Sequence, residues 1–240
     1  MSVIRSFLEE LEWKVAPRLP RPLARLIGAL RGFFVSRTYY SQNAEDILIA
    51  KFFDCIGLKN GYCIDIGCFH PRWISNTKLL HDRGWRGLGV DIDKYKVKLY
   101  ECVRRPRGRA ICAAVTNERD DGVLPVYRFH KFWSELDTLS RTVADASGRP
   151  FTTDVVRSIH VDDLIALADQ AVNFKNIDIE GLDLMILQAI NFDRFRPQLI
   201  CFEGTGTGVM PPAGADALLV SLGYRHLFST GPSHGYAIVV

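Results

Sequence analysis

Residues 61–93 read GYCIDIGCFHPRWISNTKLLHDRGWRGLGVDID. Residues 62–66 are short, apolar and β-prone and stop at Gly67, which is how a buried parallel strand ends. A loop follows, in which Ser75 or Asn76 can cap a helix running through Lys78, Leu79, Leu80 and His81. Gly84 closes that helix, and residues 87–91 make a second strand that ends in the carboxylate of Asp91. This is a βαβ unit with an acid about twenty-five residues after the first strand, the layout that holds a nucleoside by its ribose hydroxyls.

Working outward, Asp93 caps a further helix through Tyr95, Val97, Leu99 and Tyr100. Its basic residues Lys94, Lys96, Lys98, Arg104, Arg105, Arg107 and Arg109 read as a solvated face. A third strand is expected over residues 108–115. Upstream, Ser41 or Asn43 is the expected cap of a helix over residues 44–53, with acids in its first turn, placed over the mouth of the crevice. Downstream, residues 123–129 read as an edge strand, and the insertion at residues 118–155 has no firm period, so it is expected to form a lid over the substrate side. Strands at 155–159, 174–181 and 197–204 alternate with helices starting near 162, 182 and 216. The chain closes with a hairpin of residues 224–229 and 236–240. Five strand and helix repeats ended by a hairpin predict an α/β fold with the seven-stranded sheet of class I methyltransferases, Rossmann-like but not all parallel, preceded by a helical N-terminal arm.

The chain has 240 residues, 48% hydrophobic and 24% charged, which suits one large α/β domain with a filled core. Net charge is +3, too near balance to imply nucleic acid. Residues 1–40 hold seven Lys or Arg against three Glu, so the positive excess lies in the arm. The domain organisation expected is a basic amphipathic arm at 1–37 and a methyltransferase domain at 38–240. Such an arm either touches an anionic membrane surface peripherally or packs on the domain or a second copy, giving a homo-oligomer. Six cysteines without a CxxC pair, and no long apolar run, lead to the expectation of a cytoplasmic protein, peripheral at most at the inner face of a membrane.

A dinucleotide fold would place GxGxxG after the first strand, to seat a pyrophosphate on the next helix. Here the sequence is Gly67-Cys68-Phe69-His70-Pro71. That excludes NAD and FAD and points to a nucleoside without phosphates, S-adenosylmethionine, with Asp65 and Gly67 at the first strand's tip and Asp91 on the ribose. Asp178 and Glu180, two apart, share a face if they lie on a strand, and Glu203 ends the neighbouring strand. Three such carboxylates require compensation. The compensating group is a divalent metal such as magnesium, held by Asp178 and Glu203, or a protonated carboxyl, or an arginine such as Arg72. The base that removes the acceptor's proton is Asp178, Glu180 or His70, unless His70 simply packs on the cofactor. The glycine-rich segment after Glu203 reads as a flexible substrate loop, and His81, His130, His160, His226 and His234 share no metal spacing.

These residues together resemble the FkbM family of S-adenosylmethionine-dependent methyltransferases. The resemblance is carried by YSQNAED at residues 40–46, DIGCFHP at 65–71 with SNT at 75–77, GWRGLGVD at 84–91, DIEGLD at 178–183 and Glu203. It implies O-methylation of a hydroxyl, typically on a sugar of a glycan, glycolipid or natural product. It places Asp65, Gly67 and Asp91 at the cofactor, with Asn76 and the flanking Cys68 and Ile92 beside them, and Asp178 and Glu180 at the transfer site. The competing expectation is a membrane-surface or assembly module that retains a nucleoside-binding fold.

Overall fold

The computed structural model describes residues 19–20, 23, 39–119, 122–129, 134, 137–179, 181–204 and 210–238. The chain divides between Tyr39 and Tyr40, and the fold below is that of Tyr40–Val240. Of the expected arm, only Leu19, Pro20 and Leu23 fall among the described residues.

Helix α1 (Glu45–Cys55) carries Glu45 and Asp46 in its first turn, where the helix dipole favours acids. Ala44, with φ +64°, stands at the capping position, but the Ser41 hydroxyl serves the first turn from further back: its oxygen accepts the Asp46 amide at 3.2 Å and it donates to the Asp46 carboxylate at 2.7 Å. Strand β1 (Tyr62–Ile66) is buried throughout, as a strand flanked on both sides must be. The helix that follows, α2 (Lys78–Asp82), starts later than the sequence suggests. Thr77 is its first flanking residue, and the Ser75 and Asn76 side chains are engaged elsewhere. Gly84, at φ +103°, turns the chain into β2 (Arg86–Asp91). Asp93 then caps α3 (Lys94–Arg104), its side chain accepting from the Tyr95 amide.

The expected third strand is two. β3 (Gly108–Cys112) belongs to the main sheet, and after Ala113 the chain changes sheet to form β4 (Ala114–Thr116). The insertion supplies β5 (Val123–Arg128), the short helix α4 (Arg141–Ala146) and β6 (Thr152–His160). β4 pairs in parallel with β6, and β6 pairs antiparallel with β5, so this region is a second small sheet. Next come α5 (Val161–Ala166), β7 (Phe174–Ile177), α6 (Asp183–Ala189), β8 (Leu199–Glu203), α7 (Ala213–Ser221) and the hairpin of β9 (Tyr224–Thr230) and β10 (Ser233–Ile238).

The main sheet runs β3-β2-β1-β7-β8-β10-β9, in which β3, β2, β1, β7 and β8 pair in parallel and β10 is antiparallel to both its neighbours, β8 and β9. This is the class I methyltransferase order expected from the repeat pattern and the terminal hairpin. Strand alternation divides the core. Ile64, Ile66, Leu88, Val90 and Ile177 pack with Leu164, Ile186 and Leu219 of α5, α6 and α7 on one face. Cys63, Phe174, Leu199 and Cys201 pack with Ile49, Phe53 and Leu80 of α1 and α2 on the other. At about 25 cal/mol per Å² of apolar area, these two layers supply the main driving force for folding.

Candidate active site

Strand order reverses between β1 and β7, because the chain builds outward through β2 and β3 before returning. In an open α/β sheet, that reversal leaves a crevice at the strands' carboxyl ends. A cavity of about 220 Å³ lies there. Ile66, Gly67, Phe69 and Ile74 line it from the end of β1 and the following loop, and Val90, Asp91 and Ile92 from the end of β2. Ala113 and Val115 form part of the wall, the insertion contributes Asp137, Thr138 and Leu139, and Asp178, Ile179 and Glu203 close the far rim. Gln42 reaches it from the segment before α1.

Asp91 is buried at this wall, and its two oxygens receive backbone amides: Phe69 N–H on Oδ2 at 3.1 Å and Asp93 N–H on Oδ1 at 2.9 Å. Burial raises its pKa, against the lowering effect of Lys96 and those amides. The Lys96 ammonium stands 3.9 Å from Oδ1, 4.6 Å from the Phe69 ring centre, and donates to the Ser134 carbonyl at 2.6 Å. The sequence reading put Lys96 on a solvated face; it is buried and lines the cavity. Arg128 of β5 ties the small sheet to this corner. It donates to the Ile92 carbonyl and pairs with Asp93, Asp137 and Asp154 at 3.2 to 3.3 Å.

Gly67, at φ +83°, makes the turn out of β1 against the chain after β7. A Cβ there would sit 1.8 Å from the Asp178 carbonyl oxygen, so no side chain fits. The amides of Gly67 and Cys68 both donate to the Val90 carbonyl, and that of Phe69 to Asp91. The backbone donors that would cradle a phosphate are therefore already used. Those residues suit a nucleoside held by hydroxyls, with Asp91 as acceptor, and do not suit a pyrophosphate.

Three residues expected at the cofactor stand behind the cavity rather than on it. Asp65 is buried, with Oδ2 accepting from the Thr77 hydroxyl at 2.6 Å and Oδ1 from the Asn176 amide at 2.9 Å; burial raises its pKa. Cys68 packs with Val97, Tyr100 and Ala110. Asn76 donates to the Asn176 side-chain oxygen at 2.9 Å. These contacts brace the loop from below, whereas Gly67, Asp91 and Ile92 reach the cavity itself.

His70 cannot serve as the base through Nδ1, which accepts the amides of Arg72 at 3.1 Å and Trp73 at 3.0 Å. That fixes the neutral tautomer with its proton on Nε2. Burial, Arg104 and Arg72 all lower its pKa. Asp178 and Glu203 both line the cavity, but the argument that Asp178 and Glu180 share a strand face does not apply, since β7 ends at Ile177. Glu180 and His130 lie outside the described residues, as do residues 205–209 of the expected substrate loop. Among the described residues no group of three His, Cys, Asp or Glu is placed to hold a metal ion.

Besides Lys96, sequence reasoning missed two further residues here. Asp183, 2% exposed, accepts the Glu203 amide on Oδ1 at 3.2 Å and the Ile179 amide on Oδ2 at 3.5 Å, joining the ends of β7 and β8. Burial, with Glu203 nearby, pushes its carboxyl up to about 7. Its signal was its place opening a helix directly after the strand-end acids. Arg104, 1% exposed and not solvated as expected, donates to the Pro71 carbonyl at 2.8 Å, the Ser75 hydroxyl at 2.9 Å and the Thr77 carbonyl at 3.3 Å. No sequence signal separates it from its exposed neighbours.

Residues 56–225 match the Methyltransferase FkbM domain. Among solved structures, the chain is similar to a TehB-like SAM-dependent methyltransferase from Corynebacterium glutamicum, at 12% identity and TM-score 0.43, covering 91% of this chain and 100% of that one. It is also similar to a SAM-dependent methyltransferase from Aquifex aeolicus, at 14% identity and TM-score 0.38, covering 79% and 89%. No curated protein matches the chain.

Proposed function

Because the chain belongs to the FkbM methyltransferase family, we propose that it transfers the methyl group of S-adenosylmethionine to a hydroxyl oxygen on a sugar-bearing acceptor. The dependence on S-adenosylmethionine goes with the family. When bound, the cofactor supplies an electrophilic methyl on a sulfonium sulfur. Asp91 accepts from the ribose hydroxyls through the lone pairs that the Phe69 and Asp93 amides leave available. Lys96 opposes the rise in pKa that burial imposes on that carboxylate. Ile92 and Leu139 offer apolar surface to the base.

Across the cavity, Asp178 and Glu203 stand where an acceptor hydroxyl can give up its proton as the new C–O bond forms. Because the neighbouring Asp183 carboxyl is pushed up to about 7, it takes up a proton more readily than an exposed acid and so lessens the crowding of negative charge at this rim. The observation that carries the reading is the pairing of a buried strand-end acid on the cavity with loop amides that are turned away from it.

Isothermal titration with S-adenosylmethionine and S-adenosylhomocysteine tests the cofactor half, and absence of binding by both would sink it. Asp91→Ala should weaken that affinity by about 1 to 3 kcal/mol. An unchanged affinity would put the ribose elsewhere. An acceptor screen with radiolabelled methyl donor tests the other half. Run with magnesium and with a chelator, it decides between a divalent ion on Asp178 and Glu203 and the Asp183 proton as the compensating charge.

A further inference from the structure

The loop leaving β1 is held in a costly shape. Phe69 has φ +30° and Ile74 has φ +49°, and a β-branched residue in that region is a genuine outlier. Both of these residues line the cavity. Arg104 grips the turn between them through the Pro71 carbonyl. At its outer corner stands Trp73, 66% exposed. The side chain is not left to swing. His70 lies parallel to the indole, with ring centres 4.5 Å apart at 13°, and the same His70 is pinned by the Arg72 and Trp73 amides on its Nδ1. Single exposed apolar side chains are ordinary, but a tryptophan whose plane is fixed and whose chain neighbour, Ile74, lines the cavity is a preorganised surface.

On the reading that the acceptor hydroxyl belongs to a sugar, we propose that Trp73 is the stacking platform for a pyranose ring of the acceptor, seated at the mouth of the methyl-transfer cavity. The electron-rich indole face attracts the C–H bonds on one side of a pyranose, which the ring oxygens polarise. The ring's hydroxyls stay at its edge, free to donate to carboxylates such as Asp178 and Glu203 on the cavity rim. A phenolic acceptor could cover the same indole but brings a single hydroxyl to its edge, where a pyranose brings several. The chemistry of the rim therefore favours a polyhydroxylated ring. His70 takes the role of a positioning residue, backing the platform rather than moving a proton.

The test uses the full chain with S-adenosylhomocysteine or labelled donor, and methyl glycosides of glucose, galactose and mannose as probes, with phenol as the control. The Trp73 indole N–H resonance, assigned by its absence from Trp73→Phe, should shift with at least one glycoside, and by more than with phenol at the same concentration. Trp73→Ala should lower kcat/KM for glycoside methylation at least about tenfold. That loss should fall mainly on KM, since a platform holds ground state and transition state alike. Donor affinity should be unchanged, and Trp73→Phe should keep most of the activity. If the wild type neither binds nor methylates any glycoside, the sugar reading falls and the platform with it. If glycosides are methylated equally well by Trp73→Ala, the platform alone is wrong. A parallel fall in donor affinity would overturn it too, making Trp73 a support of the loop.

Discussion

Asp183 shows how burial changes what a carboxylate does at this rim. Folded, it holds its proton up to about pH 7; unfolded, it would release it near pH 4. The folded chain therefore binds more protons than the unfolded one across that interval, and the stability this group contributes declines as pH rises from about 4 to about 7. Asp183→Asn cannot ionise and keeps an oxygen for the Glu203 amide. Its Tm relative to wild type should climb through that window and level off above it. A difference that stays flat would mean that the carboxyl titrates as an exposed one does. At this scale the sequence placed Asp91, Gly67 and Glu203 at the cavity, because a residue at or just past the end of a strand is placed by the strand itself, and Asp178 lies there too although β7 stops one residue before it. It concealed Asp183, Lys96 and Arg104, because an ionisable side chain is read as solvated until its buried partners are known.

Among the elements, α3 was legible in its start and in its Asp93 cap, both of which are local, but it runs on to Arg104, beyond the Tyr100 to which the sequence reading carried it. Its outer face was not. Reading charge as exposure works for most helix positions and fails where a distant loop supplies carbonyls, as 71–77 does for Arg104. Arg104→Lys keeps the charge but cannot reach three acceptors in one plane. It should lower stability by about 2 kcal/mol in urea unfolding, and weaken donor binding as the loop carrying Gly67 and Phe69 loosens. Wild-type values for both would show that the clamp is dispensable. The strand after α3 gave a different lesson. Residues 108–115 are one apolar run, and nothing local marks the change of sheet at Ala113, which is set by β4 pairing with β6 some forty residues later.

For the whole molecule, the division between Tyr39 and Tyr40 leaves β1 to β10 and every residue lining the cavity in one unit. A chain beginning at residue 38 should bind S-adenosylmethionine with unchanged affinity by calorimetry. A loss of more than about tenfold would bring the basic arm into the site. Among the described residues no helix is long and apolar enough to cross a membrane. The succession of strands and helices, the antiparallel ending and the acid closing β2 were determined by the sequence alone, since periodicity, glycines and strand ends act within a few residues. Only the tertiary structure decided that Asp65, Cys68 and Asn76 brace the loop while Asp91 faces the cavity, that His70 stacks on Trp73 with its Nδ1 engaged by two backbone amides, and that the insertion supplies Asp137, Thr138 and Leu139 to the wall. The physical reason is that burial and hydrogen-bond partners come from chain segments far apart in sequence, and they alone set which polar groups are spent on the fold and which remain for a ligand.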